Sequence, residues 1–179
     1  MFTRNIAAIS VAALGFTVGL ASAAESPGLG QPITEKEAAA WDLSIGPDGV
    51  GLPAGRGTVK RGEEVYLEKC QGCHGETGVG TPSDKLVGGQ GTLMGDQAPV
   101  KTVGSFWPYA TTLFDYIRRA MPLAEPQTMS DSDVYAVSAY VLNLNGIIGP
   151  RAVMDAKSLP KVKMPNRDNF YIVYPGQIK

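Results

Sequence analysis

The chain has 179 residues, 44% hydrophobic and 18% charged, and its 16 basic and 17 acidic side chains leave a formal net charge of −1. That balance, with no clustered basic helix, argues against a nucleic-acid binder. Two cysteines and a single histidine cannot complete a four-ligand structural zinc site without recruiting carboxylates.

Residues 1–24 have the pattern of a signal peptide. Arg4 supplies the positive start, Ile6 to Leu20 is an apolar run of 15 residues, and Ala21-Ser22-Ala23 offers a small-residue cleavage site. The run is shorter than the roughly 20 residues a membrane span requires. No other segment is apolar enough, so no membrane span is expected after cleavage. The mature chain, about 155 residues and one domain in size, is expected in the periplasm.

Residues 25–57 are predicted to form an irregular arm. Thr34-x-x-Glu37 is a capping box that opens a short helix through Trp41, and the Gly- and Pro-rich residues 46–57 are expected to be irregular. From Thr58 the residues Val59, Gly62, Tyr66, Lys69 and Cys70 recur at helical spacing. Gly62 would cost such a helix roughly 1 kcal/mol against Ala, which suggests a close helix crossing there.

This helix leads into Cys70-Gln71-Gly72-Cys73-His74, which gathers every cysteine and histidine of the chain into five residues. The spacing is that of c-type haem attachment. Two thiols add across the vinyl groups of a haem, and the adjacent imidazole reaches its iron. A thioredoxin-like redox pair would instead follow a strand in a βαβ pattern, and here the upstream residues are helical in character.

Residues 75–95 carry seven glycines without a sustained period, which predicts a loop that can lie close against a flat group. Its Gly-Gly-Gln-Gly run lacks the strand and helix that a phosphate loop needs. Thr111 to Ala120 is predicted as a second helix, stopped by Pro122. Ser130 caps a third, whose stripe of Val134, Val137, Val141 and Leu144 ends near Gly146. Beyond it, residues 147–179 are predicted to be an extended basic tail. From Ile147 onward six Lys or Arg face Asp155 and Asp168, whereas Glu25 to Gly146 holds 9 basic and 15 acidic residues. Complementary fields favour a tail folded back on that acidic body; a docking surface for an acidic partner is the alternative.

With His74 as one iron ligand, no second histidine exists. Methionine, a weak ligand such as lysine, or an open position remains. A thioether opposite histidine raises the reduction potential. Met121, just before Pro122 and ahead of the third helix, is the foremost candidate, with Met164, Met129, Met94 and Met154 as competitors. Trp107, in the densest aromatic cluster, and one arginine of the following helix, Arg118, are candidates to hold haem carboxylates, although core aromatics and solvated arginines pack in the same way. No catalytic constellation is evident. The fold class expected is all-α, about three core helices around one covalent haem, in a domain over residues 58–146.

Cys70-x-x-Cys73-His74 with Met121-Pro122 and a closing helix resembles class I cytochromes c. Trp41-Asp42 through Leu52-Pro53, Gly88 to Leu93, and above all Thr102 to Pro122 resemble the cytochrome subunit of the sulfur (sulfane) dehydrogenase of the Sox thiosulfate-oxidising system. The similarity runs from about Trp41 to Tyr174. It implies a periplasmic electron-transfer subunit carrying haem c, which accepts electrons from a molybdenum-containing dehydrogenase subunit and passes them to a soluble cytochrome c. A free-standing electron shuttle, or an open-site haem sensor or peroxidase, is the alternative.

Overall fold

The computed structural model describes residues 28–171; the expected signal peptide lies outside them. Helix α1 (Glu35–Trp41) forms where the capping box lies, with the Glu37 backbone N–H donating to Thr34 Oγ1 at 3.3 Å and the Thr34 N–H donating to Glu37 at 2.8 Å. None of its residues is buried. Local capping, not packing, shapes it.

The body rests on three longer helices, α2 (Val59–Lys69), α4 (Ala110–Ala120) and α5 (Asp131–Leu144), with a single turn, α3 (Gln71–His74), between the first two. Thr58 and Ser130 cap α2 and α5, each accepting the N–H three residues on at 3.1 Å. The expected close crossing is present. A Cβ at Gly62 would overlap the Ala136 carbonyl of α5, so the hydrogen side chain lets the two backbones meet. Tyr66 and Tyr140 pack across the same contact with ring centroids 5.3 Å apart, and Phe114 of α4 meets Tyr135 of α5 at 4.3 Å.

The chain is mostly helical, with one element outside the all-α expectation. Strand β1 (Arg56–Thr58) pairs antiparallel with β2 (Val153–Asp155), Gly57 opposite Met154. Three-residue strands are too short to leave a periodic signal in sequence. Through them the last residues of the arm join the first residues of the tail beside α5.

The described part of the tail is not extended, as had been expected, but folded. It makes 3₁₀ turns at Leu159–Lys161 and Arg167–Asn169, and Met154, Leu159, Val162 and Met164 are buried in the main core. Asp155 anchors the first of these turns by accepting the N–H groups of Lys157 and Ser158 at 2.9 and 2.8 Å, bonds that hold its carboxyl below the usual range. The basic tail therefore does fold back on the body. Apolar side chains hold it there, and its charges face outward.

Candidate functional site

Helix α3 follows α2 with almost no break. The Cys73 and His74 N–H groups both donate to the Cys70 carbonyl, at 3.1 and 3.0 Å, and the Gly75 N–H closes the turn on Gln71 O at 2.8 Å. Helical residues three apart share a face, so Cys70 and Cys73 stand together with His74 next in line. Cys70 is half-buried and Cys73 exposed, and no disulfide joins them. Burial, reinforced by Cys73, pushes the Cys70 thiol up to about 11. A thioredoxin-like nucleophile needs the opposite shift.

His74 is oriented by the loop that follows it. Its Nδ1 lies 2.8 Å from the Asp84 carbonyl oxygen. A carbonyl only accepts, so Nδ1 carries the proton and Nε2 keeps its lone pair for a metal. The same loop is tied to the motif by Ser83 N–H to Cys73 O and Gly80 N–H to His74 O, each 2.9 Å, and Tyr66 donates its hydroxyl to Gly75 O at 2.8 Å.

Met121 caps the C-terminus of α4, its N–H bonded to Ile117 O at 3.0 Å. Its competitors separate by burial. Met154 and Met164 are core residues and Met94 is 90% exposed, whereas Met121 and Met129 are half-buried at the edge of the core. Cys70, Leu86, Trp107 and Leu144 are likewise partly buried side chains packed against the core. Such a fringe has apolar surface left for a flat apolar group to cover. With two thiols and an imidazole Nε2 beside it, the residues present fit a haem.

Trp107 stands edge-on to Tyr116, ring centroids 5.8 Å apart. Arg118 is engaged by the protein: its Nε donates to Asp131 at 2.7 Å, linking α4 to α5. Arg119 pairs with Asp115 on its own helix. A hollow of about 140 Å³ lies between Leu43, Arg118, Arg119, Gln127, Met129 and Asp131. A second, about 270 Å³, is lined by Val79 to Lys85 alone, and no motif side chain borders it.

Three positioning groups were not foreseen. Asp84 acts through its backbone carbonyl, which no side chain advertises. Asn145 donates to Leu86 O at 3.1 Å and Val141 O at 2.9 Å and accepts from Gly88 N–H at 3.3 Å, fixing the glycine loop to the end of α5. Thr102 and Ser105 form a buried knot: Thr102 Oγ1 donates to Gly88 O at 2.6 Å, and Ser105 Oγ donates to Val100 O at 2.7 Å. The Thr-x-x-Ser spacing is a turn signal that could have marked this last pair.

The fold and this site define a cytochrome c domain. The family model described as cytochrome c oxidase, cbb3-type, subunit III matches residues 57–141. Among solved structures, a chain of the sulfane dehydrogenase SoxCD from Paracoccus pantotrophus matches with a TM-score of 0.76 and 38% identity, covering 85% of this chain and 75% of that one. A curated relative, the thiosulfate dehydrogenase of Stutzerimonas stutzeri (strain A1501), is 28% identical over 126 residues, 68% of this chain but 39% of the relative. The chain belongs to the class I cytochrome c family and resembles the cytochrome subunit of the Sox sulfane dehydrogenase.

Proposed function

We propose that this protein is a periplasmic monohaem cytochrome c, the electron-transfer subunit that accepts electrons from a molybdenum-containing sulfur or sulfite dehydrogenase and delivers them to a soluble cytochrome c. The observation that carries this reading is the match to SoxCD at 38% identity over 85% of the chain. The cytochrome c domain implies haem c, and the body over residues 58–146 is its site. When bound, the haem supplies a one-electron couple.

Cys70 and Cys73 would hold that haem covalently and His74 Nε2 would ligate its iron, with the Asp84 carbonyl fixing the imidazole's tautomer and orientation. Met121, partly buried against the core, would be the second protein ligand to the iron and favour a high potential. Trp107 is the candidate for a haem carboxylate. Arg118 is a second, through its terminal nitrogens, since its Nε is held by Asp131. Among the described residues no His, Cys, Asp and Glu cluster could hold a metal ion by itself, and no helix is long and apolar enough to cross a membrane.

The fully exposed α1, with Trp41 86% exposed, is suited to contact a partner subunit. The test is affinity capture of the mature holoprotein from its host, with metal analysis of the captured material and a reduction assay. A molybdenum protein that reduces this cytochrome on addition of a sulfur substrate is the expected result. A strictly monomeric cytochrome that accepts electrons from no such dehydrogenase overturns the proposal.

A further inference from the structure

Between Lys161 and Arg167 the tail alternates between solvent and core. Lys161, Lys163, Pro165 and Arg167 are exposed, while Val162, Met164 and Asn166 between them are 9%, 3% and 6% exposed. The inward set is anchored firmly. Val162 and Met164 belong to the main core, and Asn166 donates to Phe106 O and accepts from Asn169, both at 2.8 Å. The outward set is thereby held as a fixed row of cations.

The row continues onto an aromatic platform. The Arg167 guanidinium lies 4.7 Å from the Tyr109 ring centroid and Lys101 Nζ lies 5.0 Å from that of Phe106, whose ring meets Phe170 edge-on at 5.5 Å. Among the described residues, none of Lys101, Lys161, Lys163 and Arg167 forms an ion pair; the pairs that exist all lie on α2, α4 and α5. Asp168 is the sole acidic residue from 161 to 171. The body of the chain is acidic, yet these cations stay unneutralised on a rigid base. The ordering cost that long basic side chains impose on a complex is partly met in advance, at least in their backbone.

We infer that Lys161, Lys163 and Arg167, together with Lys101, form a docking surface for an acidic patch on another protein, with the Phe106 ring beneath Lys101 and the Tyr109 ring beneath Arg167. Arg167 over the Tyr109 ring is of the composition enriched in protein interfaces, and the three lysines suit the polar rim around such a contact. Adsorption to an anionic membrane would call for a denser basic cluster or an amphipathic helix. That the partner is one of the two redox partners rests on the function proposed above; the recognition of acidic protein does not.

The test titrates the holoprotein with a fluorescent glutamate-rich peptide and, separately, with phosphatidylglycerol vesicles, at low and raised salt. The variant Lys161→Glu/Lys163→Glu/Arg167→Glu is compared with Arg56→Glu/Lys60→Glu/Lys85→Glu, which changes the net charge equally at other exposed positions. Expected is peptide binding that weakens with salt, falls roughly tenfold or more in the first variant and much less in the second. Equal weakening in both, no binding at all, or vesicle binding in place of peptide binding overturns the inference. The neutral Lys161→Gln/Lys163→Gln/Arg167→Gln chain decides the matter should the charge-reversed one fold poorly. Since the readout is binding, its failure leaves the electron-transfer reading standing.

Discussion

Gly62 of α2 lies against the Ala136 carbonyl of α5 so closely that no Cβ could stand between them. This contact sets the crossing of the first and last long helices of the body, and through it the placement of the Cys70 turn on the core. Gly62→Ala should gain about 1 kcal/mol in helix propensity. It must also push two backbones apart, and a carbonyl cannot rotate out of the way as a side chain can. Overpacking of that kind costs about 1–3 kcal/mol, and the rigid partner puts this site at the upper end. Denaturant unfolding of the holoprotein should show a lower midpoint with an unchanged slope. An unchanged or raised midpoint would mean that the helices separate easily here.

The same glycine shows what could be read from sequence and what could not. Thr34, Thr58 and Ser130 announce their helices by local chemistry, and the structure places a cap at each. Gly62 announces a close approach because glycine inside a helix needs a reason. Nothing local announces the burial of Met154 and Leu159 in so short a strand and turn, because it depends on chain returning from a distance. For the site, Cys70, Cys73 and His74 carry their chemistry in their spacing, whereas Asp84 contributes only a backbone oxygen. Arg118 was legible as a cation on α4, but its ion pair with Asp131 depends on how α4 meets α5.

Asn145 ties the glycine loop to the end of α5 with one side chain, and its removal should loosen that loop more than the helices. In Asn145→Ala the Leu86 and Val141 carbonyls lose a donor and the Gly88 N–H loses its acceptor. Partly buried groups left unpaired cost about 1–3 kcal/mol. Hydrogen exchange should quicken at Gly88 and its neighbours while the centres of α2 and α5 remain protected. Unaltered exchange in the loop would show that the Thr102 and Ser105 knot holds it alone.

Asp133 couples the start of α5 to α2 through Arg61, whose Nε donates to it at 2.9 Å. Burial tends to raise the Asp133 carboxyl, but the hydrogen bonds from Arg61 and Ser130 outweigh it and hold the group below the usual carboxylate range. The folded state therefore binds this proton less readily than the unfolded chain does. Its stabilisation is complete above the unfolded pKa and is lost as pH falls through the folded one. The pair is partly exposed, so the loss should be at most about 1 kcal/mol. Asp133→Asn should lower stability at neutral pH and flatten this part of the acid limb. A variant with the wild-type acid limb would assign the pH dependence to other carboxylates.

Met121 and Met164 each precede a proline, yet the structure gives them different surroundings: Met121 is at the half-buried edge of the core and Met164 is within it. Loss of a buried methionine side chain costs about 2–5 kcal/mol, so Met164→Ala should unfold at markedly lower denaturant while keeping its visible spectrum. Met121→Ala should show the reverse. The long-wavelength band of a thioether-ligated ferric haem should vanish and the reduction potential should fall, with a smaller change in unfolding. If the band survives in Met121→Ala and disappears in Met129→Ala, the ligand is the other half-buried methionine of that edge. If wild type lacks the band altogether, no methionine ligates the iron, and a small ligand such as cyanide should bind to the haem readily.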